Sequence, residues 1–130
     1  MKLNHDCIRS VMLVLEKEIT IDENMCLQGV SVEKLWELLP KYSNQDILYT
    51  VEKLNEAGYI TAALQTSGGT FIDGVVFSIT YAGHEFIENV RDSKLWGAVK
   101  SILSKAGAIT LPYIIQAAGA VIEGKIKTIQ

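Results

Sequence analysis

The hydrophobic period of this chain changes at Gly58, and that change limits what it can fold into. Up to Ala57 the apolar residues recur every three or four positions, the mark of helices that bury one face. From Tyr59 to Gln65 and from Val75 to Ile79 the residues are β-branched and aromatic. There Val75, Phe77 and Ile79 alternate with smaller neighbours, the mark of strands. After Thr80 the helical spacing returns. The chain must therefore bury several helix stripes against one short strand pair.

Four helix starts share one grammar. Asn4, Ser31 and Ser43 are each placed to cap a helix, and each has a hydrophobic staple across the cap: Leu3 with Ile8, Val30 with Leu35, and Tyr42 with Ile47. Ser43 is followed at the third position by Asp46, an acidic version of the capping box. Thr80 caps a fourth helix, although His84 stands where its inner staple residue belongs. The first helix is expected over His5–Glu18, with Ile8, Val11, Met12, Leu15 and Ile19 on one stripe. Residues 20–29 read as a loop in which Gly29 helps the turn. A short second helix spans Val32–Leu39 and stops at Pro40. The third runs from Asn44 to Ala57 and ends on Gly58 as a left-handed cap.

Two turn signals, Ser67-Gly68-Gly69 and Asp73-Gly74, lie between the strands and leave the hairpin tip open. A fourth helix is expected over Tyr81–Arg91, with Gly83, Phe86, Ile87 and Val90 on one side. A fifth spans Lys94–Lys105, carrying Leu95, Trp96, Val99, Ile102 and Leu103. A last helix should run from Leu111 to about Lys127, with Pro112 tolerated in its first turn. The fold class is thus mainly α with a β-hairpin: a winged helix of three helices, a hairpin wing and a helix, plus two C-terminal helices. The third helix then occupies the recognition position. The expected domains are a winged helix over 1–92 and a helical extension over 93–130.

Charge is distributed unevenly. Residues 1–92 hold seven Lys or Arg against fourteen Asp or Glu, whereas residues 93–130 hold five Lys against one Glu. Such asymmetry points to separate partners for the two parts, or to docking of one on the other. Cys7 and Cys26 form no paired spacing, which fits a reduced, cytoplasmic protein. The first residues, Met1 to Asp6, are too polar for a secretory leader. From Ala106 to Ile122 no residue is charged, but Gly107, Thr110, Pro112, Gln116 and Gly119 interrupt the run. A buried or self-associating helix is the better reading than a membrane span.

Three blocks carry a resemblance. They are Met1-Lys2-Leu3-Asn4-His5-Asp6-Cys7-Ile8-Arg9, Leu54-Asn55-Glu56-Ala57-Gly58-Tyr59-Ile60, and Ile79-Thr80-Tyr81-Ala82-Gly83-His84-Glu85-Phe86. Asn89-Val90-Arg91-Asp92 with Lys94, Trp96, Val99 and Lys100 extends them. Over about residues 1–100 the chain resembles an uncharacterised family, domain of unknown function 2513, found mainly in bacteria, phages and prophages. The resemblance implies a mobile-element setting and a winged-helix-like fold, and no activity.

Candidate chemistry is sparse. His5, Asp6 and Cys7 set a base, an acid and a nucleophile in a row, but neighbours on a helix point about 100° apart and cannot converge. Asp6 is better read as complementing the helix dipole and pairing with Arg9, with Cys7 semi-buried. His5, His84, Cys7 and Cys26 are too scattered for a zinc site. Ser67-Gly68-Gly69 lacks the lysine and helix start of a phosphate loop. No catalytic residue, cofactor or metal is expected, and the chain reads as non-enzymatic.

The third helix offers a binding face instead. Ile47, Leu48, Val51 and Leu54 cluster inward, leaving Gln45, Tyr49, Glu52, Lys53 and Glu56 outward. Two glutamates against one lysine make poor contact with DNA phosphates, and Thr61 to Ile79 contains no Lys or Arg. Lys2, Arg9, Lys34 and Lys41 are the remaining candidates for phosphate contacts. The expectation is protein–protein contact, with a host protein as a candidate partner and a DNA-binding regulator as the alternative.

The last expected helix is apolar on several sides, more than the edge of one domain covers. Homo-oligomerisation through Ile115, Ala118, Gly119 and Ile122 is expected, the small residues letting two backbones approach. Replacing Ile115 and Ile122 by Asp should give a folded, smaller species in light scattering. A wild type already monomeric at tens of micromolar, with a double variant that unfolds, would place the helix in the domain's own core.

Overall fold

The four N-caps read from the sequence are all made. In the computed structural model, which describes residues 1–106, helix α1 (His5–Glu18) opens with Asn4 Oδ1 accepting from the Cys7 amide at 3.1 Å. Ser31 Oγ accepts from Lys34 N at the start of α2 (Val32–Leu38), and Ser43 Oγ from Asp46 N at the start of α3 (Asn44–Glu56), both at 3.1 Å. Thr80 Oγ1 accepts from Gly83 N, also at 3.1 Å, and opens α4 (Tyr81–Val90). A fifth cap escaped the sequence reading. Asp92 Oδ1 accepts from Lys94 N and Leu95 N at 2.8 and 2.9 Å, so α5 begins one residue earlier than expected, over Ser93–Ala106.

The segment expected as a loop, residues 20–29, contains two short strands, and a third follows it. β1 (Thr20–Ile21) and β2 (Leu27–Gln28) pair antiparallel, Thr20 opposite Gln28 and Ile21 opposite Leu27. Asp22 organises the bend between them: Oδ1 accepts from the Asn24 and Cys26 amides, and Oδ2 from Gln28 Nε2. β3 (Val30–Ser31) follows at once. Gly29 does not turn the chain. A Cβ there would stand 2.6 Å from the Val76 carbonyl oxygen, so its lack of a side chain permits close strand approach. Strands of two residues are too short to show a period, which is why they read as loop.

The hairpin consists of β4 (Ile60–Ser67) and β5 (Thr70–Ile79), antiparallel, with Ser67 opposite Thr70. Its tip is Gly68-Gly69, both at positive φ (57° and 81°), as a two-residue hairpin turn requires. The rival signal, Asp73-Gly74, lies inside β5, with Gly74 opposite Leu64. β3 pairs with the other edge of β5, Val30 opposite Val76, giving a three-stranded sheet in the order β3-β5-β4. The architecture is α+β, with five helices and two small antiparallel sheets among the described residues.

The chain divides into two compact units, Met1–His84 and Glu85–Gln130. The core of the first joins Ile8, Val11, Met12 and Leu15 of α1 to Leu35 of α2 and to Ile47, Val51 and Leu54 of α3. Val30, Ile60 and Val76 of the sheet complete it, and none is more than 4% exposed. Cys7, expected semi-buried, is wholly inside and accepts a hydrogen bond from Thr50 Oγ1 at 3.4 Å. Burial pushes its thiol above the usual range, so it stays protonated and inert at neutral pH. In the second unit Phe86, Ile87, Val90, Trp96 and Val99 are buried. The expected Leu111–Lys127 helix, with Ile115, Ala118, Gly119 and Ile122, lies outside the described residues. No helix among those described is long and apolar enough to cross a membrane.

Two positions test this packing. Replacing Ser43 by Ala should cost about 1 kcal/mol in chemical denaturation, the usual loss of an N-cap. A Cβ at Gly83 would run into the carbonyl oxygen of Tyr59 and stand 2.7 Å from Ile79 Cγ2. Because one of those atoms is backbone, Gly83→Ala should cost about 1–3 kcal/mol and exceed the Ser43 effect. A smaller loss at Gly83 would mean that α4 shifts freely.

His5 gives a pH test. Its half-buried ring has Nε2 inside with no hydrogen-bond partner among the described residues. Burial lowers its pKa, against a smaller opposing pull from Asp6. The unfolded chain therefore takes up the proton first. Stability is full above the ordinary value of about 6.5 and falls as pH drops from there through the lowered folded value. Between pH of about 7.5 and 5.5, His5→Gln should lose less stability than wild type. Equal losses would show that His5 titrates alike in both states.

Candidate binding face of the third helix and hairpin

Capping and burial together fix which side of α3 faces outward. Ser43 starts the helix, and Ile47, Thr50, Val51 and Leu54 take the inner side. This leaves Gln45, Glu52 and Glu56 exposed and Tyr49 and Lys53 half-buried, all five on the outer stripe as expected. Lys53 is already engaged. Its Nζ donates to Glu56 Oε2 at 3.0 Å and sits 5.4 Å from the centre of the Tyr49 ring. The hydrogen bond to Glu56 is the main reason its pKa is raised. It is also the only Lys or Arg between Lys41 and Arg91 in the sequence. The stripe therefore presents carboxylates with its one cation neutralised from within.

Beside the stripe, α3 and the hairpin enclose a groove of about 430 Å³, lined by Leu48, Glu52, Leu64, Thr66, Gly69 and Phe71. Phe71 is braced from behind by Trp36 of α2, edge to face with ring centres 5.9 Å apart. Leu48 was read as an inward residue but is only half-buried and forms a groove wall. Sequence reasoning missed Leu64, Thr66 and Phe71 as well. With the tip fixed at Gly68-Gly69, Thr66 falls opposite Phe71, and two-residue alternation puts Leu64 on the face of Thr66. The register shift between Gln65 and Thr66 moves the partner of Leu64 to Gly74.

A second cleft, of about 250 Å³, lies among Leu15 of α1 and its C-cap Ile19, Ile21 and Leu27 of the β1–β2 ribbon, and Ile79. Ile21 and Leu27 are 64% and 48% exposed there, and His84 stands on its rim. The remaining candidates do not converge on a site. Cys7 meets Thr50, while His84 is exposed at the start of α4. Among the described residues no three His, Cys, Asp or Glu side chains gather in a way that would hold a metal ion. Of the lysines weighed for phosphate contact, Lys34 pairs with Glu37 at 3.7 Å and Lys41 sits over the Tyr42 ring.

Comparison with known proteins adds kinship and no activity. A relative from Haemophilus influenzae, an uncharacterised protein, is 27% identical over 123 residues, covering 94% of this chain and 96% of its own. No solved structure matches the chain at a significant level. The profile of a family described as Hypothetical protein (DUF2513) matches residues 2–109, reaching past α5. The chain belongs to that family.

Proposed function

We propose that this chain is a non-enzymatic winged-helix module that binds a protein through the outer face of α3 and the adjoining hairpin. The element order supports the winged-helix part. A short strand between α1 and α2 pairs with β5, and the sheet order β3-β5-β4 sets α3 ahead of a two-stranded wing. The observation that carries the functional part is the acidic outer stripe of α3. Glu52 and Glu56 stand where a DNA reader would place cations, and Lys53 is spent on Glu56 and Tyr49. Phosphate contacts supply most of the affinity for duplex DNA, and this face has almost none to give. A half-buried aromatic beside an apolar groove is instead the usual anchor of a protein interface.

The family resemblance supports a phage or mobile-element setting with a host protein as partner. The unpaired spacing of Cys7 and Cys26 supports the cytoplasm, and the uncharged run from Ala106 to Ile122 supports a homo-oligomer. A DNA-binding regulator is the second reading. It is favoured by one feature, the recognition position of α3 with Gln45 exposed in its first turn, where an amide side chain suits adenine.

Mobility shifts separate the two. At moderate salt the chain should bind duplex DNA no better than weakly and without sequence preference. Submicromolar binding that Lys53→Glu abolishes would overturn the protein-binding reading in favour of the regulator.

A further inference from the structure

We infer that the groove between α3 and the hairpin takes a basic peptide segment, one that seats a large apolar side chain between Leu48 and Phe71 and sets a Lys or Arg against Glu52. This rests on the protein-binding reading above and names the chemistry of the partner.

The groove's walls come from two rigid elements. Leu48 and Glu52 are one helical turn apart on α3, and Leu64 and Phe71 stand across from them on paired strands. Its volume of about 430 Å³ falls within the range of clefts that take small ligands, room enough for one large side chain. Trp36 of α2 packs edge to face against Phe71, so an entering side chain meets a wall with an aromatic ring behind it. An apolar anchor is what such walls recognise.

Charge decides the rest of the partner. Glu52 is the one charged residue lining the groove, and among the described residues it makes no ion pair. Lys53, next along the helix, gives its hydrogen bond to Glu56 instead. The hairpin brings no cation, since Asp73 is the only charged residue from Tyr59 to Thr80. Acidic peptides, phosphate backbones and anionic lipid would all meet a carboxylate here that no ion pair among the described residues holds. A cation on the partner is the complement, and at an exposed rim it sets selectivity and encounter rate more than depth of binding.

The probe is a display library of random linear peptides selected on the full chain, followed by amide chemical-shift mapping. The expected result is enrichment of a large apolar residue flanked by Lys or Arg, with shifts centred on Leu48, Leu64, Thr66 and Phe71. Glu52→Lys, a change at an exposed site, should weaken those peptides by about tenfold and reselect for acidic ones. Cation-free peptides that still shift Leu48 and Phe71 would overturn this inference and leave the protein-binding face standing. So would peptides whose affinity ignores Glu52→Lys. No enrichment, or shifts confined to the cleft at Ile21 and Leu27, would overturn both.

Discussion

At Gly58 and Tyr59 three elements are tied by hydrogen bonds within a few residues of chain. The α3 helix ends in a Schellman motif: Tyr59 N donates to Leu54 O, and Gly58 N, at a φ of 84°, donates to Asn55 O. Asn55 Oδ1 then accepts from Ala62 N, fastening the start of β4 to the last turn of α3. Thr80 joins from the far end of the hairpin. Its amide donates to Tyr59 O, its hydroxyl donates to Gly58 O at 2.6 Å, and the same oxygen accepts from Gly83 N to open α4. One threonine thereby holds the end of α3, the base of the hairpin and the start of the next helix. The angle between α3 and the hairpin is set at this junction, and the groove farther along inherits it.

What the sequence disclosed follows from the range of the interactions. Caps act over three residues, so Asn4, Ser31, Ser43 and Thr80 could be read from neighbours alone, as could the glycine that ends α3. The helix stripes were equally legible, because a period needs only one turn or two to declare itself. Pairing across the chain was not. Val30 meets Val76 only after two helices and a strand have intervened, and nothing in the local residues around Val30 signals a strand. Gly29 illustrates the ambiguity. A glycine before a cap reads as flexibility, whereas its role is to let one backbone lie against another.

The proposed binding face was half legible for the same reason. Its helical half, Gln45, Tyr49, Glu52, Lys53 and Glu56, follows from the period and the cap. Its hairpin half needed the register, and two competing glycine turns left that open until the tip could be placed at Gly68-Gly69. Electrostatics add something that residue counting does not. Two glutamates against one lysine already suggest an acidic face, but the Lys53 ammonium is bonded to Glu56 and held over Tyr49. An incoming phosphate would have to compete with a carboxylate and a ring for that ammonium. Exposed pairs of this kind add little to stability, so their consequence lies in what the face attracts.

Fold and face are separable in this protein. The groups that set the architecture are buried or bonded at short range: the five cap oxygens, Thr50 with Cys7, and the backbone contacts around Tyr59. Gln45, Glu52 and Glu56 lie exposed and take no part in the core. Surface substitutions away from caps and cores usually change stability by less than about 0.5 kcal/mol. The charge of the face can therefore be reversed while the groove keeps its walls. A protein built this way presents a groove held by the Tyr59 junction at one end and the Trp36–Phe71 contact along its length, with a rim whose sign is free to match a partner. Nothing in the packing requires the acidity of the rim, and the proposed basic partner is the reading that gives that charge a use.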